Sequence, residues 1–362
     1  MTDQDYMQMA YALARKGKGR TSPNPMVGAV IVKQGRIIGR GYHHRCGGPH
    51  AEVLALRQAQ GRARGACLYV TLEPCFHHGR TPPCVDAIIE AGIRRVVISM
   101  KDPNPLVSGK SIAKLRRRHI RVSCGLLRGQ GELLNEAFMT YITQRRPFVV
   151  AKTAQTLDGK IATAAGESKW ITGRKARDYA RGLRGGFDAI LIGINTALAD
   201  DPGLNAKRRT KRLKKIVLDA KLRLPSRARL FRGCRPEDGF VVVTPKAPGR
   251  KIESFRKRGI TVLVDPTDRD RINLAWLMKE LALREISSVL IEGGAGVIGS
   301  ALRAKIVDKM HIYIAPRIIG DQQALSSVTG LLPGRLQQTV ALNRITTESI
   351  GQDLFLQGYV AR

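Results

Sequence analysis

Aromatic residues make up only 5% of the 362 positions, with two tryptophans, so ring faces on which a nucleic-acid binder stacks bases are scarce. Long apolar runs are missing too. They reach about six residues, as from Ala189 through Gly193 to Ile194, far short of the roughly 18 a membrane-spanning helix needs. The opening residues Met1-Thr2-Asp3-Gln4-Asp5 carry acids where a secretory signal carries lysines, so the expectation is a cytoplasmic protein that binds no membrane. Cysteine is limited to six positions, 46, 67, 75, 84, 124 and 234, too sparse for a disulfide framework. Acidic residues are few as well: 29 against 62 Lys+Arg, a formal charge of +33. The excess is spread, with 23 basic and 9 acidic residues over 1–145 and 39 and 20 over 146–362. There is no basic tail, but a charge of this size keeps nucleic-acid binding open.

What is present is alternation. Met7, Ala10, Tyr11 and Ala14 fall at helical spacing. A hairpin follows, Val27–Lys33 and Arg36–Gly41 about Gln34-Gly35, then a helix over 51–60, a strand over 67–72, a helix over 84–91 and a strand over 95–100. Further helix and strand come at 111–118 and 120–124, and one continuous helix is expected over 132–144. Pro147 cannot continue that helix, which divides the chain into domains 1–145 and 146–362. Strands then read at 148–152, 189–194, 215–219, 239–244, 260–264, 288–292 and 310–315, with helices at 174–184, 270–283 and 297–304. Both domains are of the α/β class.

Between residues 50 and 84 three features converge: His50-Ala51-Glu52, Pro74-Cys75 and Pro83-Cys84. One imidazole and two thiols form a donor set for a catalytic zinc ion that keeps one position open for water. Both a helix start and a nearby cation favour thiolate, and His50 and Cys84 each open a helix. Glu52 projects differently from His50, which suits a proton shuttle better than a fourth ligand. His-x-Glu followed by Pro-Cys and a second Cys is the signature of zinc nucleobase deaminases. Here eight residues separate the cysteines, and they include His77, His78, Arg80 and Thr81.

With Thr71-Leu72-Glu73-Pro74-Cys75, His77, Gly79, Thr81-Pro82-Pro83-Cys84, Asn24-Pro25, Val27-Gly28 and Asp102-Pro103-Asn104-Pro105, the chain resembles the bifunctional riboflavin-biosynthesis deaminase/reductase family. The resemblance implies a cytidine-deaminase-like three-layer α/β/α domain with zinc on His50, Cys75 and Cys84 and Glu52 as proton carrier. It places Asn24, His43, His77, Arg80, Asp102 and Asn104 around a phosphoribosylaminopyrimidine substrate.

The second domain contains Glu292 followed by Gly293-Gly294-Ala295-Gly296-Val297-Ile298-Gly299-Ser300. A strand entering a glycine loop and then a helix can cradle phosphate on backbone N–H groups, although G-x-G-x-x-G alone is equally a packing motif. No acidic residue ends a following strand at the distance that would hold a ribose 2′-hydroxyl, so NADP is the better fit. The resemblance continues through Lys152, Leu157-Asp158-Gly159-Lys160, Trp170-Ile171-Thr172 and Asp200-Asp201-Pro202. It implies a dihydrofolate-reductase-like α/β domain that uses NADPH. Ala154, Trp170, Thr196, Asp200 and Gly294 to Ser300 (Gly294, Ala295, Gly296, Val297, Ile298, Gly299, Ser300) would contact the cofactor. Ser168, Arg184, Leu204, Lys207 and Glu292 would contact the phosphosugar. The implied activity is hydrolytic deamination followed by reduction of the ribosyl chain; a homo-oligomer is a separate expectation. The alternative is a nucleic-acid-editing zinc deaminase with a basic RNA-binding second half. The charge favours that alternative, whereas the cysteine spacing and the dearth of aromatics oppose it.

Overall fold

The computed structural model describes residues 1–76, 83–206, 212–232, 235–267 and 270–361. Contacts divide them into two compact units, Met1–Arg146 and Pro147–Arg362.

The first unit runs α1 (Asp3–Arg15), β1 (Gly28–Lys33), β2 (Arg36–Tyr42), α2 (Ala51–Ala59), β3 (Cys67–Leu72), α3 (Cys84–Glu90), β4 (Arg95–Met100), α4 (Lys110–Arg117), β5 (Arg121–Cys124), α5 (Arg128–Leu134) and α6 (Glu136–Gln144). Its sheet has the order β2-β1-β3-β4-β5, antiparallel across the first three strands and parallel from β3 onward. Thr2 caps α1, and Tyr6, Met7, Ala10 and Tyr11 pack on Val30, Tyr69 and Val97 on one face. The other face carries Ala51, Ala55, Val85, Ile88, Ile112 and Leu115 from α2, α3 and α4. The result is a three-layer α/β/α sandwich. The close approach of α2 to the hairpin depends on glycine: a Cβ on Gly41 would lie 2.2 Å from Ala51 O, and one on Gly39 the same distance from Ala55 O.

One expectation is corrected. The helix over 132–144 is broken at Asn135, where ψ is 24° and φ is −115°. Asn135 is buried, accepts from Met26 N–H at 2.8 Å and donates to Met26 O at 3.1 Å. The side chain thus brackets the segment that leads from Asn24 into β1.

The second unit runs β6 (Phe148–Thr156), β7 (Lys160–Ala162), α7 (Arg174–Arg184), β8 (Ala189–Gly193), α8 (Ile194–Asp200), β9 (Lys214–Leu218), β10 (Gly239–Val243), α9 (Gly249–Lys257), β11 (Thr261–Val264), α10 (Leu274–Leu283), β12 (Ser288–Glu292), α11 (Ala295–Arg303), β13 (Lys309–Ala315), β14 (Leu325–Ser326), β15 (Leu342–Ile350) and β16 (Asp353–Val360). Strands β11-β10-β9-β8-β12-β6-β13 are parallel, and β16 and β15 extend the sheet antiparallel. Alternate residues face two cores. One packs Val149, Leu191, Phe240 and Val289 against α10 and α11, and the other packs Ile190, Val217 and Val241 against Leu204, Leu230 and Phe255. The chain builds β8 to β11 outward and then returns to insert β12 between β8 and β6. An open parallel sheet binds ligands beyond the carboxyl ends of its strands at such a reversal. Helices α8 and α9 and the closing β15–β16 hairpin went unread in the sequence.

Candidate active sites

In the first unit, His50 N-caps α2, Cys84 begins α3 after Pro83, and Cys75 follows β3. One nitrogen and two sulfurs lie within 4.8 Å of one another. His50 Nδ1 is 3.0 Å from Cys84 Sγ and 3.4 Å from Cys75 Sγ, and Cys84 N–H donates to Cys75 Sγ at 3.1 Å. A hydrogen bond from the Cys84 thiol holds the Cys75 thiol well below its ordinary range, with His50 assisting against burial. Sharing the site with Cys75 pushes Cys84 up, and burial adds to it. His50, Cys75 and Cys84 could hold a divalent cation, which would take both sulfurs as thiolates and so relieve that competition. Donor type, convergence and a half-exposed rim at His50 and Cys75 all fit zinc with one open position.

Glu52 lies in the first turn of α2, 3% exposed. Burial first, then negative charge on Cys75, pushes its carboxyl up to about 7. His43, also buried, meets His50 edge-on with ring centres 5.4 Å apart. Its Nδ1 lies 3.1 Å from Pro49 O, which can only accept, so Nδ1 carries the proton and Nε2 accepts from Asn24 Nδ2 at 3.3 Å. Burial lowers the imidazole's pKa and favours this neutral form. Asp102 is buried and its carboxyl rises to about 6 for the same reason. Asn104 spends its side-chain oxygen on Leu106 N–H at 3.0 Å, within its own turn. His77, Arg80 and Lys207 lie outside the described residues.

Glu73 received no role in the sequence reading beyond its place in the motif. Its buried carboxylate accepts from the N–H groups of Asp102 (3.3 Å), Gly109 (2.9 Å) and Ile112 (3.4 Å). It therefore ties the Asp102–Asn104 loop to the strand end that leads to Cys75. Phe76 is half-buried against the core, with the Lys114 ammonium 5.5 Å above its ring.

In the second unit a cleft of about 770 Å³ opens at the carboxyl ends of β6, β8 and β12, where an open α/β sheet places its ligands. Ala154, Ser168, Trp170, Arg184, Thr196, Asp200, Leu204, Glu292, Gly294, Ala295 and Ile298 all line it. Trp170 is 58% exposed rather than packed in the core, with the Arg177 guanidinium stacked 4.3 Å over its ring. Asp200 pairs with Lys169 at 3.1 Å. On the floor, Arg184 makes a two-pronged ion pair with Glu292 (2.8 and 2.7 Å) and donates to Asn205 O at 3.0 Å. The register sets Glu292 beside Lys152, which also lines the cleft. Burial lowers the Lys152 pKa, with Glu292 opposing.

The glycine run divides by function. Gly293 and Gly294 adopt φ of +97° and +83° against Thr196 and turn the chain from β12 into α11 at the cleft. Gly296, Val297, Gly299 and Ser300 are not among the cleft-lining residues; Val297 fills the space beside Gly193. Gly299 is a packing glycine, because a Cβ there would sit 1.8 Å from Thr329 O. Gly299→Ala must push the two backbones apart, and a fall in stability of about 1–3 kcal/mol is expected on thermal or denaturant unfolding. An unchanged midpoint would show the helix free to shift.

Among the described residues no helix is long and apolar enough to cross a membrane. A family profile described as RibD C-terminal domain matches residues 147–356. A second, cytidine and deoxycytidylate deaminase zinc-binding region, matches residues 1–100. The chain is 45% identical over 357 residues to the riboflavin biosynthesis protein RibD of Actinobacillus pleuropneumoniae, covering 98% of this chain and 95% of that protein. Acinetobacter baumannii RibD superposes with a TM-score of 0.88 at 37% identity, covering 99% of both chains. A Thermotoga maritima structure, titled as a diaminohydroxyphosphoribosylaminopyrimidine deaminase/5-amino-6-(5-phosphoribosylamino)uracil reductase, gives 0.85 at 36% over the same share of each. These likenesses lend no support to the nucleic-acid-editing alternative. They run the whole length, through a gathered His-Cys-Cys site in one unit and a strand-end cleft in the other, and the chain belongs to the RibD family of riboflavin biosynthesis proteins.

Proposed function

We propose that the chain carries out two consecutive steps of riboflavin biosynthesis. The first unit hydrolyses 2,5-diamino-6-(5-phosphoribosylamino)pyrimidin-4(3H)-one to 5-amino-6-(5-phosphoribosylamino)uracil and ammonia. The second reduces the ribosyl chain of that product to a ribityl chain with NADPH. The observation that carries this reading is the convergence of His50, Cys75 and Cys84 beside buried Glu52, in a chain whose other unit matches the RibD C-terminal domain.

His50, Cys75 and Cys84 would hold the zinc, whose chemistry when bound would be to make hydroxide available near neutral pH. Glu52 takes the proton that the attacking water gives up and delivers it to the departing amine. Asn24, His43, Asp102 and Asn104 form the pyrimidine side of the pocket, with Glu73 holding the Asp102–Asn104 loop in place. In the second unit the cleft would hold NADPH, which would supply the hydride. Ala154, Trp170, Thr196, Asp200 and the Gly294 turn face the cofactor, and Ser168, Arg184, Leu204 and Glu292 face the phosphosugar. Lys152 Nζ, beside Glu292, is a proton donor on the cleft floor.

Self-association and a cytoplasmic location belong to the same proposal. The support for the first is β15, a sheet-edge strand exposed nearly throughout, with Ile345 52% exposed.

The test is to incubate zinc-loaded protein with the diaminopyrimidinone and NADPH while following ammonia and NADPH together. Ammonia release with NADPH oxidation lagging behind it is the expected result. Ammonia alone would remove the reductase half of the proposal, and neither signal would remove both.

A further inference from the structure

Lys215 lies inside β9, register-paired with Ile190 on β8 and Gly239 on β10, and is only 3% exposed. A cation at a sheet interior is expensive unless its hydrogen-bonding capacity is met, and an ammonium has three donors. Lys215 Nζ donates to Gly203 O at 2.7 Å, Asn205 Oδ1 at 3.1 Å and Leu230 O at 2.7 Å. A methionine would fill the same volume without desolvation cost, so the ammonium's distinct contribution is where these bonds lead.

All three lead to the cleft wall. Gly203, Leu204 and Asn205 line the cleft, and Leu204 is held in the left-handed region at φ +48°, a conformation that non-glycine residues keep only where surrounding contacts impose it. Asn205 O accepts from Arg184, the partner of Glu292. Leu230 belongs to the 229–231 turn, whose Arg229 also lines the cleft and whose N–H is held by Asp201 Oδ1 at 2.7 Å. One buried ammonium therefore joins two wall segments that come from opposite sides of β9 in the sequence.

We propose that Lys215 is a positioning residue of the reductase cleft: from within the sheet it fixes residues 203–205 and the 229–231 turn, and through Asn205 it fixes Arg184, so that the wall fits the phosphosugar. The proposal rests on the reductase reading above. Lys215 acts through its neighbours, so its loss shows as weaker substrate capture more than slower chemistry.

The experiment uses the full chain with Lys215→Met and, separately, Asn205→Ala, which removes one acceptor at an exposed position. Steady-state reduction of the deaminated substrate is measured beside ammonia release, together with hydrogen exchange at residues 203–206. The expected result for Lys215→Met is a KM for the phosphosugar raised about tenfold or more, with kcat changed far less. Ammonia release stays at the wild-type rate and exchange at 203–206 speeds up. Asn205→Ala shifts the same KM in the same direction by less, and it decides the matter if Lys215→Met does not fold. A lowered melting temperature with unchanged KM would make Lys215 a core residue only and overturn the proposal, as would a silent Asn205→Ala. If wild-type protein releases ammonia but oxidises no NADPH, the reductase reading fails by itself. Exchange at 203–206 then still judges Lys215, and unaltered exchange in Lys215→Met overturns its role.

Discussion

Glu52→Gln is expected to keep zinc at wild-type stoichiometry and to cut ammonia release by about 10²–10⁴-fold, the range that a positioned acid–base group contributes. Glutamine preserves the shape of the side chain and its capacity to accept a hydrogen bond, but it cannot carry a proton from water to the leaving amine. The carboxyl is almost fully buried and stands in the first turn of the helix that His50 caps, so bulk water has poor access to do the transfer in its place. Glu52 is not among the converging ligand atoms, which is why metal content and rate separate in this variant. Metal analysis and an ammonia assay on the same sample make the measurement, and reduction of already deaminated substrate reports on the second unit. Full ammonia release with zinc retained would remove Glu52 from the proton path. Loss of zinc would make it part of the metal's support instead.

The chemistry was legible where it sits close in sequence. His50-Ala51-Glu52, Pro74-Cys75 and Pro83-Cys84 could be found as patterns, and the fold gathers those same ligand atoms. Most strands of both units announced themselves as short β-branched runs. What stayed hidden was set by tertiary contacts. Residues 132–144 carry a sound helical pattern, yet the helix breaks at Asn135, whose side chain is hydrogen-bonded to Met26, 109 positions away. Helix α8 was lost because Ile194 extends an apolar run that reads as strand. The β15–β16 hairpin was lost because β15 faces solvent nearly throughout and shows no buried alternation. The glycine run at 294–299 reads as one motif, yet Gly294 turns the chain at the cleft and Gly299 makes room for Thr329. Lys215 had no signal beyond its residue type, and Glu73 none beyond its place in the Thr71–Cys75 motif. A buried charge is recognised by its partners, and those partners lie in other segments.

Arg184→Met is expected to abolish NADPH oxidation and to destabilise the second unit, while ammonia release continues. Truncating one partner of a desolvated, hydrogen-bonded ion pair costs about 2–5 kcal/mol, mostly from the charge left behind. The side chains of Arg184 and Glu292 are 17% and 9% exposed, which places this pair toward the low end. Burial alone would raise the Glu292 pKa, but the hydrogen bonds and charge of Arg184 outweigh it and hold the carboxyl below its ordinary range. A carboxylate whose folded pKa lies below its unfolded value adds stability above the unfolded value, and that stability disappears as pH falls through the folded one. The stability gap between wild type and Arg184→Met should therefore be full at neutral pH and narrow as pH falls below the ordinary glutamate range and through the lowered Glu292 value. The double variant Arg184→Met/Glu292→Met separates structure from function. Replacing both charges by apolar groups of similar size is often neutral or stabilising, so the melting temperature should recover while reduction stays lost. Recovery of reduction in the double variant would show that the pair shapes the cleft without touching the substrate. A single variant with wild-type melting and wild-type reduction would show that the pair matters to neither.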